Sequence, residues 1–194
     1  MPAPVHAVDA ASTRALAPWL LHTLLVVAGS MLLAVSAQVM LPLWFSPVPV
    51  TAQSLAVVLI AAAYGRTLGV ATVLAYLLEG AAGLPVFAGF SGSVAHLLGP
   101  TGGYLAGFVV AAAVVGTCAD RGWMRRPSTA LIAMTVGTAS IFVTGLAWLA
   151  LFVEPRSVLM IGLVPFVPGA AFKIGVATVA APAVTRAFAG RRRG

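Results

Sequence analysis

Apolar residues in this chain run in blocks rather than alternating with polar ones, and glycine, proline and a few charges mark where each block stops. The first block, 19–41, is uninterrupted and long enough to cross the hydrocarbon core of a bilayer, which takes about 20 residues. Pro42, Pro47 and Pro49 then break the backbone, so 41–50 reads as a loop at the far surface, with Trp44 at the level of an aromatic belt. A second block covers 51–64 and a third 67–78, with Gly65-Arg66 between them. Both are short for a span, which predicts tilting or partial embedding in protein. The fourth runs from Pro100 to Cys118, the fifth covers about 130–153 and the sixth about 169–188. The pattern predicts an all-α membrane protein with six transmembrane helices. It divides the chain into an N-terminal tail (1–18), a membrane domain (19–188) and a basic C-terminal tail (189–194).

One stretch breaks the rule that apolar means helical. Residues 83–108 read G-L-P-V-F-A-G-F-S-G-S-V-A-H-L-L-G-P-T-G-G-Y-L-A-G-F, too greasy for a solvated loop and too rich in Gly and Pro for a continuous helix. Irregular backbone at membrane depth survives only where protein covers it or where it lines a cavity. Residues 83–99, between spans three and four, are therefore expected to form a cap over a binding site. Gly89 and Gly102 belong to the glycines that would let backbone approach a ligand closely.

Composition agrees with the membrane reading. The chain is 61% hydrophobic and 8% charged, against the roughly 25% charged of soluble domains. Its net charge of +7 need not mean nucleic acid, because basic residues in cytoplasmic loops give the same sum. With the N-terminus inside, the inner segments hold Arg14, Arg66, Arg121, Arg125, Arg126, Arg186, Arg191, Arg192 and Arg193, nine of the eleven basic residues. The outer loops hold Arg156, Glu79 and Glu154. This asymmetry predicts a multi-pass protein of the cell membrane with both termini cytoplasmic, and it puts the 42–49 loop, the cap and the 154–168 loop on one outer face. The run after Arg14 is too long for a secretory leader and is read as a retained first span. Cys118 is the single cysteine, which excludes a disulfide framework and a thiolate metal site; no cofactor is expected.

The eleventh basic residue, Lys173, falls about one turn inside the sixth span. A lysine at the centre of a span costs about 2.5–3.5 kcal/mol on insertion scales, and less near the end. Its flexible stem could snorkel to the interface. Alternatively it faces inward and meets an anion or a ligand oxygen. Gln53 and Thr51 sit at the outer end of the second span and could join it, with helix capping as their plain alternative. Ser91 and Ser93 could serve a ligand or only the loop backbone. Tyr104 could bind or merely anchor at the interface, and Phe87, Phe90 and Phe166 could wall a pocket or simply pack. Ser30 and Ala34 on the first span, beside Gly29, have the small-x-x-x-small spacing that allows close helix contact in lipid.

An enzyme has one foothold. Gly89-Phe90-Ser91-Gly92 has the G-x-S-G look of a rhomboid-type intramembrane serine protease, for which His96 would have to be the base from the same loop. No G-x-x-x-x-G-K-[S/T] occurs, so the glycines at 99, 102 and 103 do not form a P-loop.

Four blocks carry a family resemblance: S-P-V-P-V-T-A-Q at 46–53, G-L-P-V-F-A-G at 83–89, L-L-G-P-T-G-G-Y-L-x-G-F at 97–108 and P-F-V-P-G-x-x-x-K at 165–173. The chain resembles the BioY family, the biotin-binding S components of energy-coupling-factor transporters. The resemblance implies biotin uptake across the cytoplasmic membrane without a covalent step. It also implies a transmembrane coupling protein and two ATPases as partners, and gives Lys173 a ligand oxygen, with Gln53, Ser91 and Tyr104 as further candidate contacts. The family's P-G-D-x-x-K block pairs an acid with the lysine, whereas here the acid position is Ala170. The resemblance alone implies that Ala170→Asp preserves or tightens binding. It further makes the small residues of the first helix, Ser30 and Ala34, a docking face for the coupling protein. Uptake of a different small vitamin-like ligand is the alternative within the same class.

Overall fold

A computed structural model describes residues 18–188; the tails up to residue 17 and from 189 on, with Arg14 and Arg191 to Arg193, lie outside the described residues. Helix α1 (Pro18–Gln38) leads into a two-residue antiparallel ladder, β1 (Met40–Leu41) on β2 (Val50–Thr51). Helix α2 (Gln53–Ala81) follows, then the cap with a 3₁₀ turn at Ala88–Phe90 and the short helix α3 (Val94–Leu98). Helices α4 (Gly102–Asp120) and α5 (Pro127–Leu149), the short α6 (Val158–Gly162) and α7 (Val167–Phe188) complete the chain. Five helical stretches are long and apolar enough to cross a membrane.

The longest of them, α2, is two spans. At Gly65 the backbone leaves the helix, with φ 78° and ψ −174°. A continuous helix would hold Gln53 and Tyr76 about 35 Å apart, yet the Gln53 amide donates to the Tyr76 hydroxyl at 2.6 Å. Halfway along, a Cβ on Gly69 would stand 3.1 Å from the Ala61 Cα. The two arms therefore run back to back, and the second and third expected spans form a hairpin that reverses at Gly65. Counted this way the six expected membrane helices are all present. The hairpin is stitched to α4: the Asp120 carboxylate accepts from the Arg66 backbone N–H at 3.0 Å, capping the second arm. A Cβ on Gly116 would stand 2.6 Å from the Arg66 backbone.

Helix α4 lies between α2 and α5, while α7 packs on α2 and α5 and α1 rests mainly on α2. With lipid as solvent, contacts of this kind come from close packing of small residues rather than from expelled water. Ala61, Ala62, Ala111, Ala112, Ala177 and Ala181 are all fully buried. Boundaries shift by a few residues from expectation for local reasons. Helix α5 starts at Pro127 and α7 carries Pro168 in its first turn, positions that need no backbone N–H.

Long-range contacts sort the ends. The Gly65 bend meets Asp120 at the end of α4. The end of α7 reaches the same level, since Thr185 donates to the Ala62 carbonyl and the rings of Tyr64 and Phe188 lie 5.3 Å apart. Arg66, Arg121, Arg125, Arg126 and Arg186 thus gather at one face, and the β1–β2 turn, the cap and the 150–166 connection lie at the other.

Candidate functional site

Two cavities open beneath the cap face. The larger, about 320 Å³, is bounded by Met40, Leu43 and the 46–49 turn on one side and by Gln53, Phe87, His96, Thr101, Tyr104 and Phe108 on the other. The smaller, about 60 Å³, is walled by Thr51, Ser54, Thr138, Phe142, Phe166, Ala170 and Lys173. Val48, Pro49, Thr51, Tyr104 and Phe108 border both, so the cavities are neighbours divided by the strand that enters α2. The larger volume falls at the low end of the roughly 300–1,000 Å³ typical of small-molecule sites.

Lys173 does not snorkel. Its ammonium turns inward, donating to the Thr51 carbonyl at 2.5 Å and to the Ser54 hydroxyl at 3.1 Å. An ammonium has three donors, so one remains for another oxygen. No ion pair with Lys173 occurs among the described residues; Glu79 lies in the second arm of α2 and accepts from Ser30 at 2.8 Å.

Gln53 is buried, and its amide meets Tyr76, whose own hydroxyl donates to the Val86 carbonyl at 3.0 Å. Phe87 packs edge-on to Tyr76 and lies over Gly80, where a side chain would occupy the ring's place. Tyr104 faces both cavities, and its hydroxyl donates to the Gly162 carbonyl at 2.8 Å, fastening α6 to α4.

Four expected ligand residues line neither cavity. The Ser91 hydroxyl donates to the Ala88 carbonyl at 2.9 Å and meets His96 Nδ1 at 3.2 Å, bracing the cap. Phe90 is 72% exposed. Gly89, with φ 69°, and Phe90, with φ 54°, shape the tip of the cap in left-handed conformations. Gly102 lets the start of α4 pass against the Leu97 carbonyl, leaving no room for a Cβ. Glycine here serves chain packing, not ligand approach. Of the two small residues on the first helix, Ser30 is buried against Glu79, and Ala34 is half-buried. Leu24, Val27, Met31 and Val35 are exposed on α1.

The structure adds His96, Ser54, Thr138 and Tyr76. His96 stacks on Phe87 at 5.1 Å, and its two nitrogens face Ser91 and Thr101. Ser91 already directs its single hydrogen to Ala88, so the consistent assignment has Nδ1–H donating to Ser91 and Nε2 accepting from Thr101. In that tautomer His96 is a strut, not a base for Ser91. Burial pushes its imidazole below the usual 6.5, keeping it neutral. Its position as the only histidine beyond the first span was a visible signal. Nothing local distinguished Ser54, Thr138 or Tyr76 from other helix residues.

An α-helical membrane domain with a capped, half-polar pair of cavities at one end defines a membrane-embedded binding protein for a small ligand. A model of the BioY family matches residues 8–190. The chain is 37% identical over 150 residues to the probable biotin transporter BioY of Pyrococcus horikoshii, covering 77% of this chain and 87% of that protein. It is 39% identical over 153 residues to the biotin transporter BioY of Thermotoga maritima, with the same two coverages. To the biotin transporter BioY of Rhizobium etli it is 34% identical over 181 residues, covering 89% and 94%. Among solved structures it is similar to the S-component for biotin from an ECF-type ABC transporter, with a TM-score of 0.77, 21% identity and coverages of 90% and 97%. The chain belongs to the BioY family.

Proposed function

We propose that this protein captures biotin at the outer face of the cell membrane and mediates its uptake. One observation carries the reading: a lysine inside a membrane helix turns its ammonium into a cavity, beside a larger chamber of ligand size. Biotin supplies what such a site asks for, namely a carboxylate, a ureido ring with N–H donors and one strong acceptor, and an apolar remainder. The names borne by the relatives favour the same ligand. No covalent step is required.

Capture takes place under the 83–99 cap, and release to the cytoplasm follows reorientation or opening. Both termini are cytoplasmic in this reading, consistent with the arginine-rich face lying inside. The likeness to an S-component of an ECF-type ABC transporter supports two kinds of partner, a transmembrane coupling protein and a pair of ATPases. Binding of labelled biotin to the purified protein tests the proposal. Saturable binding that is lost in Lys173→Ala is expected; absent binding, or wild-type affinity in that variant, overturns it.

A further inference from the structure

We propose that the loop between α4 and α5 is a docking surface for anionic phospholipid headgroups, with Arg121, Arg125 and Arg126 on the phosphates and Trp123 anchored at the same depth. The cap and both cavities lie at the opposite face, so this surface is separate from the ligand site.

The loop reads R-G-W-M-R-R over 121–126, three guanidinium groups around one aromatic ring. Its shape is fixed from within. Gly122 makes a left-handed turn at φ 80°, and Met124 is fully buried where the Trp123–Arg125 turn packs on α4, α5 and α7. The Thr129 hydroxyl lies against two loop carbonyls, that of Trp123 at 2.5 Å and that of Arg126 at 3.1 Å. With Met124 turned inward, Arg121, Trp123, Arg125 and Arg126 are left exposed. A loop held this way presents its cations with little left to order on binding.

Charge and depth together select the partner. Among the described residues this face carries Arg66, Arg121, Arg125, Arg126 and Arg186 against one acid, Asp120. That carboxylate caps the Arg66 backbone N–H, and among the described residues none of the five guanidiniums is held in an ion pair. Leu131 and Ile132, early in α5, are 47% and 53% exposed, and apolar side chains so exposed on a membrane helix face lipid tails. Five or six residues at 1.5 Å each put Arg126 about 8–9 Å from them. That span matches the headgroup layer, roughly 5–8 Å deep on each side of the hydrocarbon. Phosphodiesters are the anions at that depth, the arginine fork matches their oxygens, and tryptophan settles in the same layer. With this face inside, as in the orientation proposed above, it meets the leaflet that carries anionic lipid.

Lipid retention by the purified full-length protein tests this. Bound lipid is counted by native mass spectrometry after titration with phosphatidylglycerol, or with phosphatidylcholine of the same acyl chains. Wild-type protein should hold the anionic lipid about ten-fold more tightly. That preference should shrink as salt is raised. Arg125→Gln with Arg126→Gln should cut it to about three-fold or less, whereas Arg125→Lys with Arg126→Lys, which keeps the charge, should preserve most of it. Arg156→Gln, on the opposite face, should leave it intact. Quenching of tryptophan emission by brominated phosphatidylglycerol should lose a component in Trp123→Phe. Equal retention of the two lipids by wild-type protein, an undiminished preference in the glutamine pair, or an equal loss in Arg156→Gln overturns the proposal. So does displacement of the lipid by glycerol 3-phosphate at matching concentration, which would make the loop a site for free phosphate esters.

Discussion

Gln53 and Tyr76 touch at 2.6 Å although 23 positions separate them, because the chain doubles back at Gly65. This contact joins the floor of the larger cavity to the root of the cap through Val86, so the hairpin positions the site. Gly65→Ala is expected to break that arrangement. The substitution forces a side chain into positive φ, at about 1–2 kcal/mol, and drives a Cβ onto the Asp120 carboxylate. A lower melting temperature in detergent is the measurement, with Gly175→Ala as control because its Cβ would meet open space.

At position 170 this chain carries alanine where the family block carries an acid. An aspartate there, three residues before Lys173, shares its helix face. Ala170→Asp is therefore expected to preserve or tighten biotin binding, measured by titration calorimetry. A large loss of affinity would mean that the pocket is built for a different ligand.

The cap is tied to α1 by one side chain. Gln38 donates to the Phe87 carbonyl at 3.1 Å and accepts from the Phe90 N–H at 3.0 Å, so a single amide holds both sides of the Gly89 turn. Gln38→Leu removes both hydrogen bonds to the cap, each of net worth about 0.5–1.5 kcal/mol, along with one to the Ala34 carbonyl. Faster biotin dissociation is expected, by roughly five- to ten-fold, with little change in the association rate.

Acid should loosen the same cap. His96 has a folded-state pKa below its unfolded 6.5 because burial disfavours the charged ring. The folded cap therefore binds fewer protons than the unfolded one. The stability it draws from neutral His96 is complete above pH 6.5 and falls as the pH drops through the lowered value. Thermal midpoints compared between pH 7.5 and pH 5 should decline less in His96→Gln than in the wild type.

Four of the six membrane helices could be read along the chain because hydropathy is a sum over neighbours, and a run of about 20 apolar residues has few alternatives; the short blocks 51–64 and 67–78 were separated by the Gly65-Arg66 break. The cap was equally visible, since Gly83, Pro85, Gly89 and Gly92 crowded into ten residues disfavour a continuous helix. Lys173 stood out because a charge inside an apolar run is expensive unless something receives it. Ser91 and Phe90 attracted attention for the same local reasons, but locality does not give direction. Both sit in the right segment, but one side chain turns back to the loop and the other outward.

Direction is a matter of folding in three dimensions. That Lys173 meets Thr51 rather than lipid depends on α7 packing beside the start of α2, a pairing across more than a hundred residues. Tyr76 looked like any helical tyrosine until Gly65 brought it against Gln53. Apolar blocks announce themselves one at a time, but an acceptor or a donor acquires a facing only when distant helices close around it.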